Sequence, residues 1–242
     1  DPAEISNELL ESDIVKKVSI TGSTRVGKLI LKKAAEKVQR VTMELSGHSP
    51  FIVCDDVNID NVADIAIAAK FRNNGQVCIS PNRFYIQENV KDEFINAFIN
   101  RAKKLKIGNG MDEGVNLGPL TTAKRLDEIE KLVDTTKKEG AEVLMGGKRP
   151  SGFNKGFYYE PTVFDKVEDN FTIMKEEPFG PLVPMLAFKS FDEVIERAND
   201  NDLGLCSYLY TNSMDKANRG SELLETGCVA VNTGAVAIAE AP

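Results

Sequence analysis

The chain alternates between two hydrophobic periods, and that alternation decides most of what it can fold into. Short apolar or β-branched runs occupy residues 18–21, 41–45, 50–54, 83–87, 142–145, 182–188, 205–211 and 229–232. Segments of helical period lie between them. Val26, Leu29, Ile30 and Ala34 share one face, as do Val62, Ile65, Ala66 and Ala69, then Phe94, Ala97, Phe98 and Ala102, then Leu126, Ile129, Leu132 and Val133. Capping residues stand where these helices should begin: Ser23 or Thr24, Asn58 or Asp60, Asn89, and Thr121 or Thr122. Ser190 and Glu193 form a capping box ahead of a helix reaching to about Asn199, and residues 213–224 read as a helix stopped by Gly227. Residues 157–164 read as extended, while the Gly-rich stretches 108–119 and 146–156 read as surface loops. Strands separated by helices of this length make βαβ units, so the expected class is α/β, with a parallel sheet flanked by helices. No fixed-period repeat is present.

Composition excludes several functions. Forty-two per cent of the 242 residues are hydrophobic and 28% charged, which suits a soluble core-forming chain. The net charge of −7 speaks against a nucleic-acid partner. Lys103, Lys104 and Lys106 form the densest basic group and suit a solvated helix end. No run of ~18 apolar residues suggests a membrane span. The N-terminus carries no secretory pattern and no initiator Met, so a processed or excised chain is expected. Four cysteines, Cys54, Cys78, Cys206 and Cys228, lie far apart in sequence, and there is one histidine, so no metal-ligand spacing exists. Free thiols in a reducing, cytoplasmic setting are expected, three of them inert and half-buried.

Four motifs carry candidate chemistry. Gly22-Ser23-Thr24-Arg25-Val26-Gly27 joins a strand to a helix. Gly22 permits a tight turn there, Gly27 allows close helix packing, and the helix N-terminus offers N–H groups to a phosphate. An ordinary capped helix would use the same residues. Glu44, at a strand end before Leu45-Ser46-Gly47-His48, would serve as a base if partly buried; a solvated carboxylate is the alternative. In Gly75-Gln76-Val77-Cys78 a thiol follows a helix stop, where its own N–H could serve an oxyanion. A lone cysteine is as readily structural. In Glu177-Pro178-Phe179-Gly180 a rigid turn holds a carboxylate and an aromatic ring, suited to ribose hydroxyls and a flat ring, or simply to a stiff surface turn.

The order and spacing of the four are more specific than any one alone. Gly-Ser-Thr-x-x-Gly, Glu-Leu-x-Gly, Gly-Gln-x-Cys and Glu-x-Phe-Gly-Pro, with Cys78 34 residues after Glu44 and Glu177 99 after Cys78, resemble the aldehyde dehydrogenase superfamily over essentially the whole chain. The resemblance implies an NAD- or NADP-dependent oxidation of an aldehyde to an acid. Cys78 would form the thiohemiacetal and thioester, and Glu44 would activate the hydrolytic water. Gly22, Ser23 and Gly27 would bind the pyrophosphate side of the cofactor. Leu45 would lie by the nicotinamide, Glu177 on its ribose, and Phe179 near both. Residues 1–46 would be the last part of a Rossmann-like cofactor domain, and residues 47–242 the cysteine-bearing catalytic domain. The chain would then be the C-terminal, catalytic portion of a homo-oligomeric enzyme, nearest the succinate-semialdehyde and 2-oxoglutarate-semialdehyde branch, and poorly active by itself. Two positions depart from the family pattern. Ser46 replaces a usual glycine, which implies strain if the backbone there is left-handed. His48 replaces a usual Lys or Asn and reads as a surface variant. A truncated, non-enzymatic interaction module is the alternative reading, and a CoA-acylating dehydrogenase is disfavoured by the presence of Glu44.

Overall fold

Val18 and Ile20 alternate with exposed residues along one short strand, and Val41 and Met43 do so along another. These strands belong to the first of two compact units, Asp1–Ser46 and Gly47–Pro242, in a computed structural model that describes residues 1–236. In the first unit the order is α1 (Pro2–Glu11), β1 (Lys17–Thr21), α2 (Thr24–Ala35) and β2 (Arg40–Glu44). β1 and β2 run parallel with Thr21 opposite Glu44. Leu10, Ile30 and Ala34 are its buried centre. α1 has no counterpart in the periodicity reading. Its start is nonetheless written in the sequence: the Asp1 side chain accepts from the Ala3 N–H at 2.8 Å, and proline follows at the first helical position.

The second unit runs β3 (Ser49–Val53), α3 (Ile59–Phe71), β4 (Pro81–Gln87), α4 (Lys91–Ala102), α5 (Ala123–Glu139), β5 (Glu142–Met145), β6 (Thr162–Asp165), α6 (Thr172–Lys175), β7 (Leu182–Phe188), α7 (Phe191–Asn199), β8 (Cys206–Tyr210), α8 (Met214–Leu223) and β9 (Cys228–Val231). Among the described residues its sheet has seven strands, in the order β5-β6-β7-β4-β3-β8-β9. All pairs are parallel except β5 with β6, which is antiparallel. The α/β class with helices flanking a largely parallel sheet therefore holds, with one antiparallel edge strand the alternation did not foretell. The stretch 157–164 contributes strand only from Thr162. Asn89 does not cap α4; its Nδ2 donates to Asp55 Oδ2 at 2.9 Å inside a short 3-10 turn, Glu88–Val90. The Ser190–Glu193 capping box is present in full.

Central strands β3 and β4 are buried along nearly their whole length, as expected where helices cover both faces. On one face Phe51 centres an aromatic cluster, with ring centroids 4.9 Å from Phe84, 4.6 Å from Tyr210, 5.9 Å from Tyr208 and 6.4 Å from Phe94. Phe51→Ala is expected to lower stability by about 3–5 kcal/mol, because a fully buried ring leaves a cavity that these neighbours cannot close. A denaturant titration measures it, and a loss under about 1 kcal/mol would contradict this packing.

Candidate active site

α3 must stop before β4 can begin, and the residues that stop it carry Cys78. Asn73, Asn74 and Gly75 are all left-handed, with φ of 48°, 57° and 75°. Asparagine and glycine are the residue types that bear this conformation best. The turn is then stitched together. Gln76 N–H donates to the Asn73 carbonyl oxygen at 3.1 Å, and Asn73 Nδ2 donates to the Gln76 carbonyl oxygen at 3.0 Å. Gln76 Oε1 accepts from the Thr121 N–H at 2.9 Å, and Asn74 Nδ2 donates to the Gly118 carbonyl oxygen at 3.0 Å. Tyr208 OH donates to the Ile79 carbonyl oxygen at 2.7 Å. Cys78 rides on this network half-buried, while Cys54 and Cys206 are buried outright. Cys228 is exposed, which corrects the reading of it as half-buried.

Gly75 also explains why two distant motifs occur together. A Cβ there would lie 2.3 Å from the Gly180 carbonyl oxygen, so the cysteine turn packs backbone to backbone on the Glu177-Pro178-Phe179-Gly180 turn. Gly47 is equally constrained: its Cβ would lie 2.2 Å from the Cys78 carbonyl oxygen. Glu177 Oε1 accepts from the Gly47 N–H at 3.3 Å. Phe179 is left-handed at φ 45°, a conformation costly for an aromatic residue, and Arg125 lies 5.5 Å over its half-exposed ring. These turns precede β3, β4 and β7. Cys78 thus sits at the amino ends of the parallel strands, opposite the carboxyl ends where ligands of open α/β sheets usually gather.

Beneath the turn is a buried polar layer that the sequence reading missed. Lys70, on the last turn of α3, is fully buried and donates to Asn82 Oδ1 at 2.7 Å. Burial pushes its ammonium down to about 7, and the charge of Glu177 partly opposes that shift. His48 is fully buried, not a surface variant. Its carbonyl oxygen accepts from Arg83 Nε at 2.8 Å, and neither ring nitrogen has a hydrogen bond within 3.5 Å among the described residues, although the ring lies near the main chain of Ile173 and Met174. Burial first, then Arg83 and Lys70, hold the imidazole down at about 3, so it is neutral across the ordinary pH range. A cation three residues before a left-handed turn is hard to distinguish from a surface lysine by sequence, since nothing local announces its burial.

In the first unit, Ser23 caps α2, its Oγ accepting from the Val26 N–H at 3.3 Å. A Cβ on Gly27 would lie 2.5 Å from a Leu45 methyl, so a larger residue there would have to push that side chain aside. Gly22 has an ordinary φ, and a Cβ there would meet only Ile20 at an ordinary 3.9 Å, so the turn does not require glycine, contrary to expectation. Ser46 is not left-handed and carries no such strain; its Oγ accepts from the Thr24 N–H at 3.4 Å. Glu44 ends β2 as an exposed side chain rather than a partly buried one. A groove of about 550 Å³ runs between α1 and α2, lined by Leu10, Val26, Leu29 and Ile30 with Arg25 and Lys33 at its rim. No periodic pattern pointed to this groove, because it depends on α1.

A groove of apolar walls beside a capped helix N-terminus suits a flat heteroaromatic ring followed by phosphates. A half-buried thiol on a rigid turn, with a carboxylate and a strained aromatic on the adjoining turn, suits covalent attack on a small electrophile beside a bound ring. Residues 1–242 match the aldehyde dehydrogenase family throughout, and the chain belongs to that family. It is 40% identical over 239 residues to glutarate-semialdehyde dehydrogenase of Pseudomonas putida, covering 99% of this chain and 49% of that protein. It is 39% identical over 238 residues to the NADP+ succinate-semialdehyde dehydrogenase of Escherichia coli, covering 98% and 49%. The crystal structure of succinate-semialdehyde dehydrogenase from Burkholderia pseudomallei superimposes with a TM-score of 0.97 at 40% identity, covering all of this chain and 50% of that one. The chain spans about half the length of the relatives it matches.

Two outcomes follow. Gly75→Ala should cost about 2–4 kcal/mol in a denaturant melt, since its Cβ meets main-chain atoms and its φ is left-handed; a neutral effect would contradict the packing of the two turns. Lys70→Met should change stability in a pH-dependent way. The buried cation weakens the fold fully below about pH 7, and this penalty fades as pH rises toward the ordinary lysine value of 10.5. The stability of the variant relative to the parent chain should therefore be most favourable near pH 6 and fall by up to about 1.4 kcal/mol per pH unit above pH 7. A pH-independent difference between the two chains would contradict it.

Proposed function

We propose that the chain is the cysteine-bearing catalytic portion, with the end of the cofactor domain, of an NAD- or NADP-dependent dehydrogenase that oxidises a semialdehyde to the corresponding acid. One observation carries this reading: the half-buried Cys78 is held on a hydrogen-bonded turn packed directly on the Glu177–Gly180 turn. Family membership over the whole chain supports it.

In this reading the Cys78 sulfur attacks the aldehyde carbon, and the Cys78 main-chain N–H supports the developing oxyanion. A nicotinamide cofactor, when bound, would accept the hydride that leaves the former aldehyde carbon. The acyl group then rests on Cys78 as a thioester. Glu44 draws a proton from water, and the hydroxide formed releases the acid. An exposed side chain at a strand end is suited to exchanging that proton with solvent. Leu45, Glu177 and Phe179 orient the nicotinamide and its ribose, the ring of Phe179 being braced by Arg125. Gly22, Ser23 and Gly27 would hold the pyrophosphate at the start of α2, and the α1–α2 groove would receive the adenine. Arg72 is exposed on the turn leading to Cys78, and a guanidinium there complements the distal carboxylate of a semialdehyde such as those named for the relatives.

The test uses the full-length enzyme containing this chain. Glu44→Gln should keep a single-turnover burst of reduced cofactor with succinate semialdehyde while losing 10²–10⁴-fold in steady-state rate, with an acyl adduct on the Cys78 peptide by mass spectrometry. Cys78→Ser should abolish the burst. A burst that survives loss of Cys78, or steady turnover unchanged in Glu44→Gln, would overturn the roles assigned here.

A further inference from the structure

Cys206 and Cys228 are far apart in sequence but are the first residues of β8 and β9, and the two strands pair them directly. Paired positions on adjacent strands project from the same face of a sheet. The two thiols are close enough to interact by hydrogen bonding and charge. Adjacent strands lie about 4.8 Å apart, inside the ~4.4–6.8 Å range of Cα separations that a disulfide spans. Among the described residues β9 is the outermost strand on its side of the sheet, and Cys228 directly follows the turn at Thr226-Gly227. Drawing the two Cβ atoms together therefore moves the end of an edge strand rather than the core.

The two thiols differ in a way that sets the order of events. Cys228 is exposed, whereas Cys206 is 1% exposed and points toward the Ser207 carbonyl oxygen at 3.7 Å. Burial, with Cys228 adding to it, pushes the Cys206 thiol up to about 12. An oxidant from solvent meets Cys228 first, and Cys206 is the neighbour that resolves the product.

We propose that Cys206 and Cys228 form a reversible thiol–disulfide site that responds to hydroperoxides. The Cys228 sulfur attacks the peroxide O–O bond. One water leaves with the thiol proton, and Cys228 becomes a sulfenic acid. The Cys206 sulfur then displaces the sulfenic hydroxyl, which departs with the Cys206 proton as a second water as the S–S bond forms. Two thiols lose two electrons in all, and hydrogen peroxide is reduced to two waters. A dithiol reductant reverses the step by exchange. This site is independent of the dehydrogenase reading. Cys78 also lies within electrostatic reach of Cys206, so a Cys78–Cys206 link is the competing product.

The 242-residue chain itself supplies the test. The reduced protein is treated with equimolar hydrogen peroxide, remaining thiols are alkylated under denaturing conditions, and peptides are mapped by mass spectrometry. The expected result is a Cys206–Cys228 linked pair that disappears with dithiothreitol. Cys228→Ser, at an exposed position, should leave Cys206 fully alkylated. Cys206→Ser should leave a sulfenic acid on Cys228 that dimedone traps. The proposal is overturned if both cysteines remain alkylatable after peroxide, or if Cys206 is recovered linked to Cys78 instead.

Discussion

A Cβ on Gly75 would stand 2.3 Å from one carbonyl oxygen, and a Cβ on Gly47 would stand 2.2 Å from another. Through these two contacts three turns that precede β3, β4 and β7 lie main chain against main chain. No side chain intervenes, so no rotamer change can loosen them. Cys78 inherits its position from this stack: its carbonyl faces Gly47, its turn rests on Gly180, and its neighbours Gln76, Asn74 and Ile79 are hydrogen-bonded to Thr121, Gly118 and Tyr208. A nucleophile held by backbone contacts loses little freedom on meeting its target, which is the advantage of preorganisation in covalent catalysis.

The rigidity has a cost beneath the surface. Lys70 is buried with one hydrogen bond, to Asn82, and the neutral His48 ring is buried with none. Replacing such groups with well-packed apolar residues often stabilises a protein. Lys70 instead bridges the end of α3 to the start of β4, which are the two elements between which Cys78 is slung. Its charge also couples to Glu177 on the neighbouring turn. Stability is thus given up to fix the segment on which the candidate chemistry depends, the pattern expected where local rules are broken at a functional site.

Much of this could be read from the residues. Strand and helix periods placed nearly every element of the seven-stranded unit, and the strand bounds at Glu142–Met145 and Leu182–Phe188 match the apolar runs. Glycine and asparagine around Cys78 announced a turn, though not that three successive residues are left-handed. What failed to register was whatever depends on partners remote in sequence. The burial of His48 and Lys70 comes from β3, α3 and β4 closing over them. The meeting of Cys206 and Cys228 comes from β8–β9 pairing, and the antiparallel β5 from an edge that periodicity does not orient. α1 escaped because its apolar residues are few. Exposed apolar residues there and on α2, including Ile5, Leu9, Leu29 and Leu31, leave its unit with little core of its own. That accords with a chain spanning half the length of its relatives.

The central claim is that the fold presents Cys78, and withholds Cys54 and Cys206, as a thiol ready to react. Site-resolved alkylation of the native chain with iodoacetamide across pH tests it directly, with exposed Cys228 as the internal reference for an unhindered thiol. Cys54 and Cys206, pushed up to about 11 and about 12 by burial, should stay unlabelled near neutral pH. Cys78 should label on the time scale of Cys228, far ahead of both. A Cys78 rate no greater than those of Cys54 and Cys206 would contradict the account.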